Sequence, residues 1–143
     1  MFDAVKSAVP GCDVFFGIAA VSDYRVTNRS EQKIKKDGGK GMTLELVENP
    51  DILAWVAARK NGPFCIGFAA ESENLGEHAR EKRVRKNVPL LAANLAQEAL
   101  GADDNSLTLF DDHGEHPLGR GPKIELARKL VAHVAALMAG SKR

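Results

Sequence analysis

The sequence predicts an α/β fold with a largely parallel sheet. Three apolar runs without alternation, at 14–21, 64–70 and 88–94, are the first reason, because strands covered on both faces read as continuous hydrophobic segments. The second is that segments of helical character separate the last two runs and follow the sheet region. The third is a terminal β-hairpin, formed by 106–110 and a short partner near His116-Pro117-Leu118 across Asp111-Asp112-His113-Gly114.

Each element has its own justification. Residues 2–9 place Phe2, Val5 and Val9 at helical spacing until Pro10-Gly11 stops them. Val14-Phe15-Phe16-Gly17-Ile18-Ala19-Ala20-Val21 follows as the first buried strand and ends at Ser22-Asp23. Segment 26–41 is rich in Lys, Gly and polar residues, with Val26 and Ile34 its only large aliphatics, and reads as an exposed, mobile flap. Residues 42–47 alternate as a half-exposed strand. Asn49-Pro50-Asp51 then reads as N-cap, first-position proline and first-turn acid of a helix running to about Lys60 on Ile52, Leu53, Val56 and Ala57. A second strand at 64–70 leads into a charged helix over 74–87. The third, at 88–94, is weakened at its start by Pro89. The last helix, 123–139, carries Ala127, Leu130, Val131, Val134, Leu137 and Met138 on one stripe, with Gly140 at its end.

Composition narrows the function classes. With 143 residues, the chain is the size of one domain, and no linker or repeat divides it. Twenty Lys+Arg against 19 Asp+Glu leave a net charge of +1, which argues against a globally basic nucleic-acid binder. Aromatics are 6% and not interleaved with basic residues, which argues against a single-strand binder. No apolar run approaches the roughly 18 residues of a membrane span, and no basic start precedes an apolar core, so a cytoplasmic protein is expected. Cys12 and Cys65 form no CxxC pair and read as buried free thiols. His113 and His116 fall in a turn and His133 on a helix, without the spacing of a zinc motif. Gly38-Gly39-Lys40-Gly41 lacks the ending of a phosphate-binding P-loop.

Ligands of open α/β sheets bind beyond the carboxyl ends of strands. Three such ends are small or polar: Ala19-Ala20-Val21-Ser22-Asp23, Phe68-Ala69-Ala70-Glu71 and Ala92-Ala93-Asn94. Small side chains let a ligand approach the backbone, or equally let a helix pack closely. Asp23 suits ribose hydroxyls or Mg²⁺, and equally a turn. Lys33, Lys35, Lys36 and Lys40 offer charge to a polyanion or simply face water. His78, Lys82 and Lys86 recur every fourth residue on one helix face, near Arg85, and the same two readings apply.

Taken in order, five motifs resemble one family: Ala19-Ala20-Val21-Ser22-Asp23-Tyr24-Arg25, Lys33-Ile34-Lys35-Lys36, Asn49-Pro50-Asp51-Ile52-Leu53, Gly67-Phe68-Ala69-Ala70-Glu71 and Lys82-Arg83-Val84-Arg85-Lys86-Asn87. The family is phosphopantothenoylcysteine synthetase of coenzyme A biosynthesis, in the bacterial form fused behind a flavin-dependent decarboxylase. The likeness covers essentially the whole chain. It implies a Rossmann-like three-layer fold and a CTP-dependent acid–amine ligase that uses Mg²⁺. In that reaction 4′-phosphopantothenate becomes an acyl-cytidylate, which L-cysteine then converts to the amide.

The resemblance also implies roles for particular residues. Ala19, Ala20 and Val21 meet the nucleotide through their backbone, and Asp23 binds it by ribose or by cation. Lys33 serves turnover of the acyl-cytidylate. Pro50, Asp51, Ile52 and Leu53 lie near the base with Phe68, while Lys82 and Lys86 are basic nucleotide-binding positions. A homodimer is implied as well. The family's glycine-rich strand–loop–helix, with its arginine and asparagine, has no counterpart before Met1. The chain is therefore expected to be the C-terminal portion of a synthetase domain, with FMN confined to the fused decarboxylase. The alternative expectation is a nucleotide-binding or dimerisation piece without turnover.

Overall fold

The structure, a computed structural model, describes residues 1–36, 38–39, 41–95, 97, 101 and 103–140. It divides into two compact units, one formed by Met1–Ile18 with Ile52–Arg143 and the other by Ala19–Asp51.

In the first unit, helix α1 (Phe2–Ala8) precedes strand β1 (Val14–Gly17). The order then resumes with α2 (Ile52–Ala57), β4 (Phe64–Glu71), α3 (Leu75–Lys86), β5 (Leu90–Leu95), β6 (Asp104–Asp111), β7 (Gly114–Pro122) and α4 (Lys123–Gly140). The five strands form one sheet in the order β1-β4-β5-β6-β7. β1, β4 and β5 are parallel, and the β6–β7 hairpin joins the far side antiparallel. Successive side chains along a strand point to opposite faces, which explains why these runs needed no polar alternation. On one face Cys65, Ala69, Leu91, Ala93 and Phe110 pack with Val56 of α2 and Ala79 of α3. On the other, Ile66, Leu90, Ala92, Leu107 and Leu109 pack with Leu126, Leu130 and Val134 of α4. The expected α/β class and three layers are present.

A pair of glycines sets how closely α2 approaches. Gly17 and Gly67 are register partners across β1 and β4. A Cβ on Gly67 would stand 2.9 Å from Leu53 Cδ2 and 2.7 Å from Leu91 Cδ1, and one on Gly17 would stand 3.1 Å from Leu53 Cδ1. Leu53 thus occupies the space that two side chains would otherwise fill.

Several boundaries differ from expectation for identifiable reasons. The apolar run 14–21 leaves the sheet after Gly17, where its pairing with β4 stops, and Ile18 is 63% exposed. The helix expected to reach Lys60 ends at Ala57, because a tight turn with Arg59 N–H donating to Val56 O (3.2 Å) leads into Asn61 at φ 57°. Helix α3 closes on Asn87 at φ 51°, with Val88 N–H donating to Arg83 O (3.2 Å) in a Schellman-type end. The hairpin is longer than 106–110 with 116–118. β7 lies at the sheet edge, where Pro117 and Pro122 are tolerated although they mask a strand in the sequence. The buried face of α4 starts one residue earlier than expected. Leu126, Leu130 and Val134 are buried, whereas Ala127 and Val131 are exposed, since one residue turns a helix by about 100°. Cys65 is buried, but Cys12 is exposed, because it precedes the apolar run and sits just after the Pro10-Gly11 turn.

The second unit is a two-stranded antiparallel ribbon, β2 (Tyr24–Val26) with β3 (Leu46–Glu48). β2 lies beyond the expected end of the first strand, and β3 is shorter than the expected 42–47. Its closure depends on Asn49. The Asn49 backbone N–H donates to Asp23 O (2.7 Å), and Nδ2 donates to Ser22 O (2.8 Å). Oδ1 accepts from Arg25 Nη1 (3.1 Å), which also donates to Glu48 O (2.9 Å). Asn49 therefore fastens the ribbon rather than capping a helix.

Candidate functional site

Within the ribbon unit, Ala19, Ala20, Val21, Asp23, Pro50 and Asp51 are exposed, and Asp23 and Pro50 adjoin the Asn49 closure. The main-chain carbonyl of Asp23 is engaged by Asn49, which fixes the backbone from which its carboxylate projects. A carboxylate oxygen on a fixed backbone is a donor of the kind Mg²⁺ accepts, alongside water and phosphate. Lys33 lies on the exposed connection between β2 and β3, as do Lys35 and Lys36. That connection was read as a flap at 26–41, and its described residues are exposed except Val26. Lys40, counted among its cations, lies outside the described residues.

Within the other unit, the structure brings His78 and Lys82 to the carboxyl end of β4, whereas Phe68 packs on the opposite face of the sheet from Ile52 and Leu53. Glu71 closes that strand with its side chain 19% exposed. Lys82 Nζ of α3 donates to Glu71 Oε1 at 3.4 Å, and His78 Nδ1 lies 3.7 Å from Glu71 Oε2. The fourfold spacing thus places His78 and Lys82 together at a strand tip, and Lys86 follows one turn later on the same face. Glu71 belonged to a quoted motif, but its role as the acceptor for that face was not read. Its position directly after two alanines was the signal.

Two arginines of α3 serve a different purpose. Arg80 pairs with Glu115, and Arg83 Nη2 donates to Asp112 Oδ1 at 2.7 Å while Nη1 donates to the carbonyls of Val88 and Pro89 at 3.4 and 3.3 Å. These two arginines hold α3 to the β6–β7 turn. The helix therefore divides its charge, Arg80 and Arg83 toward the hairpin and Lys82 with His78 toward the β4 tip.

Phe68 is half-buried on the α4 face of the sheet, one residue before the Ala69-Ala70 tip. Ile52 and Leu53 start α2, and both side chains pack against the core between α2 and the sheet. A ligand at this helix start meets the backbone before it meets the Leu53 side chain. Two hollows in this unit lie elsewhere. One of about 260 Å³ sits between Pro10-Gly11 and Asn61-Gly62-Pro63, toward the amino ends of β1 and β4. The other, about 420 Å³, opens beside Asp111.

A second cluster was missed by sequence reasoning. Asp111, at the end of β6, accepts from His116 Nε2 at 3.0 Å on Oδ1 and from His133 Nε2 at 2.8 Å on Oδ2. The backbone N–H of His113 adds a 2.7 Å bond to Oδ1. Burial alone would raise the Asp111 carboxyl. The three hydrogen bonds outweigh it and bring the group down to about 2. His133 lies seventeen residues beyond His116 on another element, so no local spacing advertised the group.

Comparison with known proteins places the chain. The family model described as the DNA/pantothenate metabolism flavoprotein C-terminal domain matches residues 1–138. The chain belongs to this family. Among curated relatives, it is 42% identical over 134 residues to the coenzyme A biosynthesis bifunctional protein CoaBC of Haemophilus influenzae, covering 92% of this chain and 33% of that one. The CoaBC protein of Escherichia coli is 45% identical over 121 residues, with 80% of this chain and 30% of that one covered. The chain thus spans about a third of the length of these relatives. A crystal structure of the C-terminal domain of a CoaBC protein superimposes with a TM-score of 0.76 at 27% identity, over 97% of this chain and 61% of that one. The family's Rossmann-like arrangement is the one built here by β1, β4, β5 and the hairpin. Among the described residues, no helix is long and apolar enough to cross a membrane.

Proposed function

We propose that this chain is the nucleotide-handling part of a phosphopantothenate–cysteine ligase. The observation that carries the reading is the 42% identity, across 92% of the chain, to a bifunctional protein of coenzyme A biosynthesis. Two features of the site agree with it: a lysine and histidine face at the tip of β4, and an exposed lysine-bearing connection in the ribbon.

In the proposed reaction, a carboxylate oxygen of 4′-phosphopantothenate attacks the α-phosphorus of CTP and pyrophosphate leaves. The amine of L-cysteine then attacks the acyl carbon, CMP leaves and the amide forms. Both steps bring anions together, so the protein must supply positive charge and orientation. Lys82 and Lys86 serve the phosphates. Lys82 exchanges its long contact with Glu71 for a phosphate oxygen. Ala19, Ala20 and Val21 read the nucleotide through backbone groups. Asp23 takes the ribose or Mg²⁺, an ion that would offset phosphate charge when bound. Pro50, Asp51, Ile52 and Leu53 border the base with Phe68, Leu53 contributing backbone rather than side chain. Lys33 stabilises charge during breakdown of the acyl-cytidylate. The protein is proposed to act in the cytoplasm as a homodimer, with the flavin-dependent decarboxylase as its fusion partner.

Thermal melting in Mg·CTP, Mg·ATP and nucleotide-free buffer tests the reading. Mg·CTP raises the melting temperature at concentrations where Mg·ATP does not, since a ligand at 100 times its Kd adds about 2.7 kcal/mol. Replacing Lys82 and Lys86 together by alanine weakens CTP binding by about 2 kcal/mol. Lys33→Ala keeps the CTP-induced shift while product formation stalls in the full-length enzyme. Equal shifts with CTP and ATP, or none, would remove the CTP assignment.

A further inference from the structure

The cluster at Asp111 lies outside the proposed ligase site and joins three elements: the end of β6, the start of β7 and the third turn of α4. Its ligand-type atoms are one carboxylate and two imidazole nitrogens, all within 4.8 Å of one another. The two imidazoles converge on the carboxylate with the same atom, Nε2, from opposite elements, and their ring centroids are 4.7 Å apart. Tetrahedral zinc holds nitrogen and oxygen ligands at about 2.0–2.2 Å, which puts neighbouring ligands about 3.3 Å apart. His116 and His133 stand 3.0 and 2.8 Å from different oxygens of the same carboxylate, and with all ligand atoms within 4.8 Å of one another, an ion would draw the two imidazoles in by about an ångström.

Access and preorganisation point the same way. The Asp111 side chain is 2% exposed, but His116 and His133 are 34% and 22% exposed, so the group is reachable from one side. The partial exposure of both imidazoles leaves a solvent side from which a water can complete the set. The His113 backbone N–H fixes one carboxylate oxygen, the kind of outer contact that orients a ligating carboxylate.

We propose that Asp111, His116 and His133 bind a first-row divalent transition-metal ion, zinc in particular, at a site with one open position. One carboxylate and two neutral imidazoles match the donor preference of zinc and its neighbours rather than that of Mg²⁺ or Ca²⁺, which favour oxygen. Binding replaces each Nε2–H···O bond by a nitrogen–metal bond, and each imidazole then carries its proton on Nδ1. The ion would clamp α4 to the hairpin, with no part in nucleotide chemistry.

The test uses the whole chain after treatment with a chelator. Titration with ZnCl₂ followed by calorimetry gives one equivalent bound with a Kd of about micromolar or below, and Co²⁺ gives visible d–d absorption of a four-coordinate site. His116→Ala and His133→Ala each weaken zinc binding at least tenfold, and Zn²⁺ raises the melting temperature of the parent protein but not of the double variant. Equal zinc affinity in the parent and the double variant would overturn the proposal and leave a hydrogen-bonded staple. So would a parent protein without Co²⁺ absorption above that of free Co²⁺, a result that needs no variant to fold. MgCl₂ binding with equal affinity at this group would also overturn it.

Discussion

Two cysteines with the same side chain illustrate how local position decides chemistry. Cys65 is buried in β4, and burial pushes its thiol up from the ordinary value, so at neutral pH it stays protonated and a poor nucleophile. Cys12 is exposed after the Pro10-Gly11 turn, with Sγ 3.0 Å from Ala8 O. A thiol reagent at neutral pH should label Cys12 at least tenfold faster, and mass spectrometry of digested protein reads both sites. Labelling of Cys65 at the same rate would contradict its place in the core. Cys12 stands at the entrance of an apolar run and Cys65 within one, so the sequence predicts burial for both; only the turn's geometry separates them. The same limit applies to Asp111. Its partners come from β7 and α4, and no periodicity within either element could announce a shared acceptor.

The elements themselves were more legible. Continuous apolar runs located β1, β4 and β5, and the fourfold recurrence of His78, Lys82 and Lys86 predicted a shared face that the contacts of His78 and Lys82 with Glu71 bear out. Boundaries were less legible where tertiary contacts decide them. Asn49 has the local signature of a helix cap, yet its side chain closes the ribbon through Ser22 and Arg25. β7 is hidden by prolines that only an edge position permits. The close packing of Leu53 and Leu91 on Gly67 yields a prediction. Gly67→Ala forces a methyl toward the side chains of Leu53 and Leu91, the latter fully buried, and should destabilise the protein by about 1–3 kcal/mol in urea unfolding. An unchanged midpoint would show that α2 moves away freely.

At the scale of the molecule, the two units differ in how they are held. Met1–Ile18 with Ile52–Arg143 carries two buried clusters on either face of a five-stranded sheet. Ala19–Asp51 has strands of three residues and leaves Ile34, Met42, Leu44 and Leu46 more than half exposed. Local opening is cheapest where few apolar contacts must break. Hydrogen exchange should therefore be near the unprotected rate across 29–36 and slowest across Leu91, Ala92 and Ala93, as read by mass spectrometry. Comparable protection of both segments would mean that the ribbon is ordered by more than its own bonds. The α/β class and the family were readable from the chain because both rest on patterns of consecutive residues. The division into two units was legible only in part: the polar, lysine- and glycine-rich stretch 26–41 marks the second unit's middle, but its bounds at Ala19 and Asp51 depend on contacts.

The Asn49 knot has a consequence for how this protein can vary. Among the described residues, the bonds from Asn49 and Arg25 reach Ser22, Asp23 and Glu48, and none of them involves residues 28–44. Insertions, deletions or a grafted peptide epitope between those positions leave the neck of the arm tied. The length of that arm is thereby freed to drift independently of the scaffold that carries it.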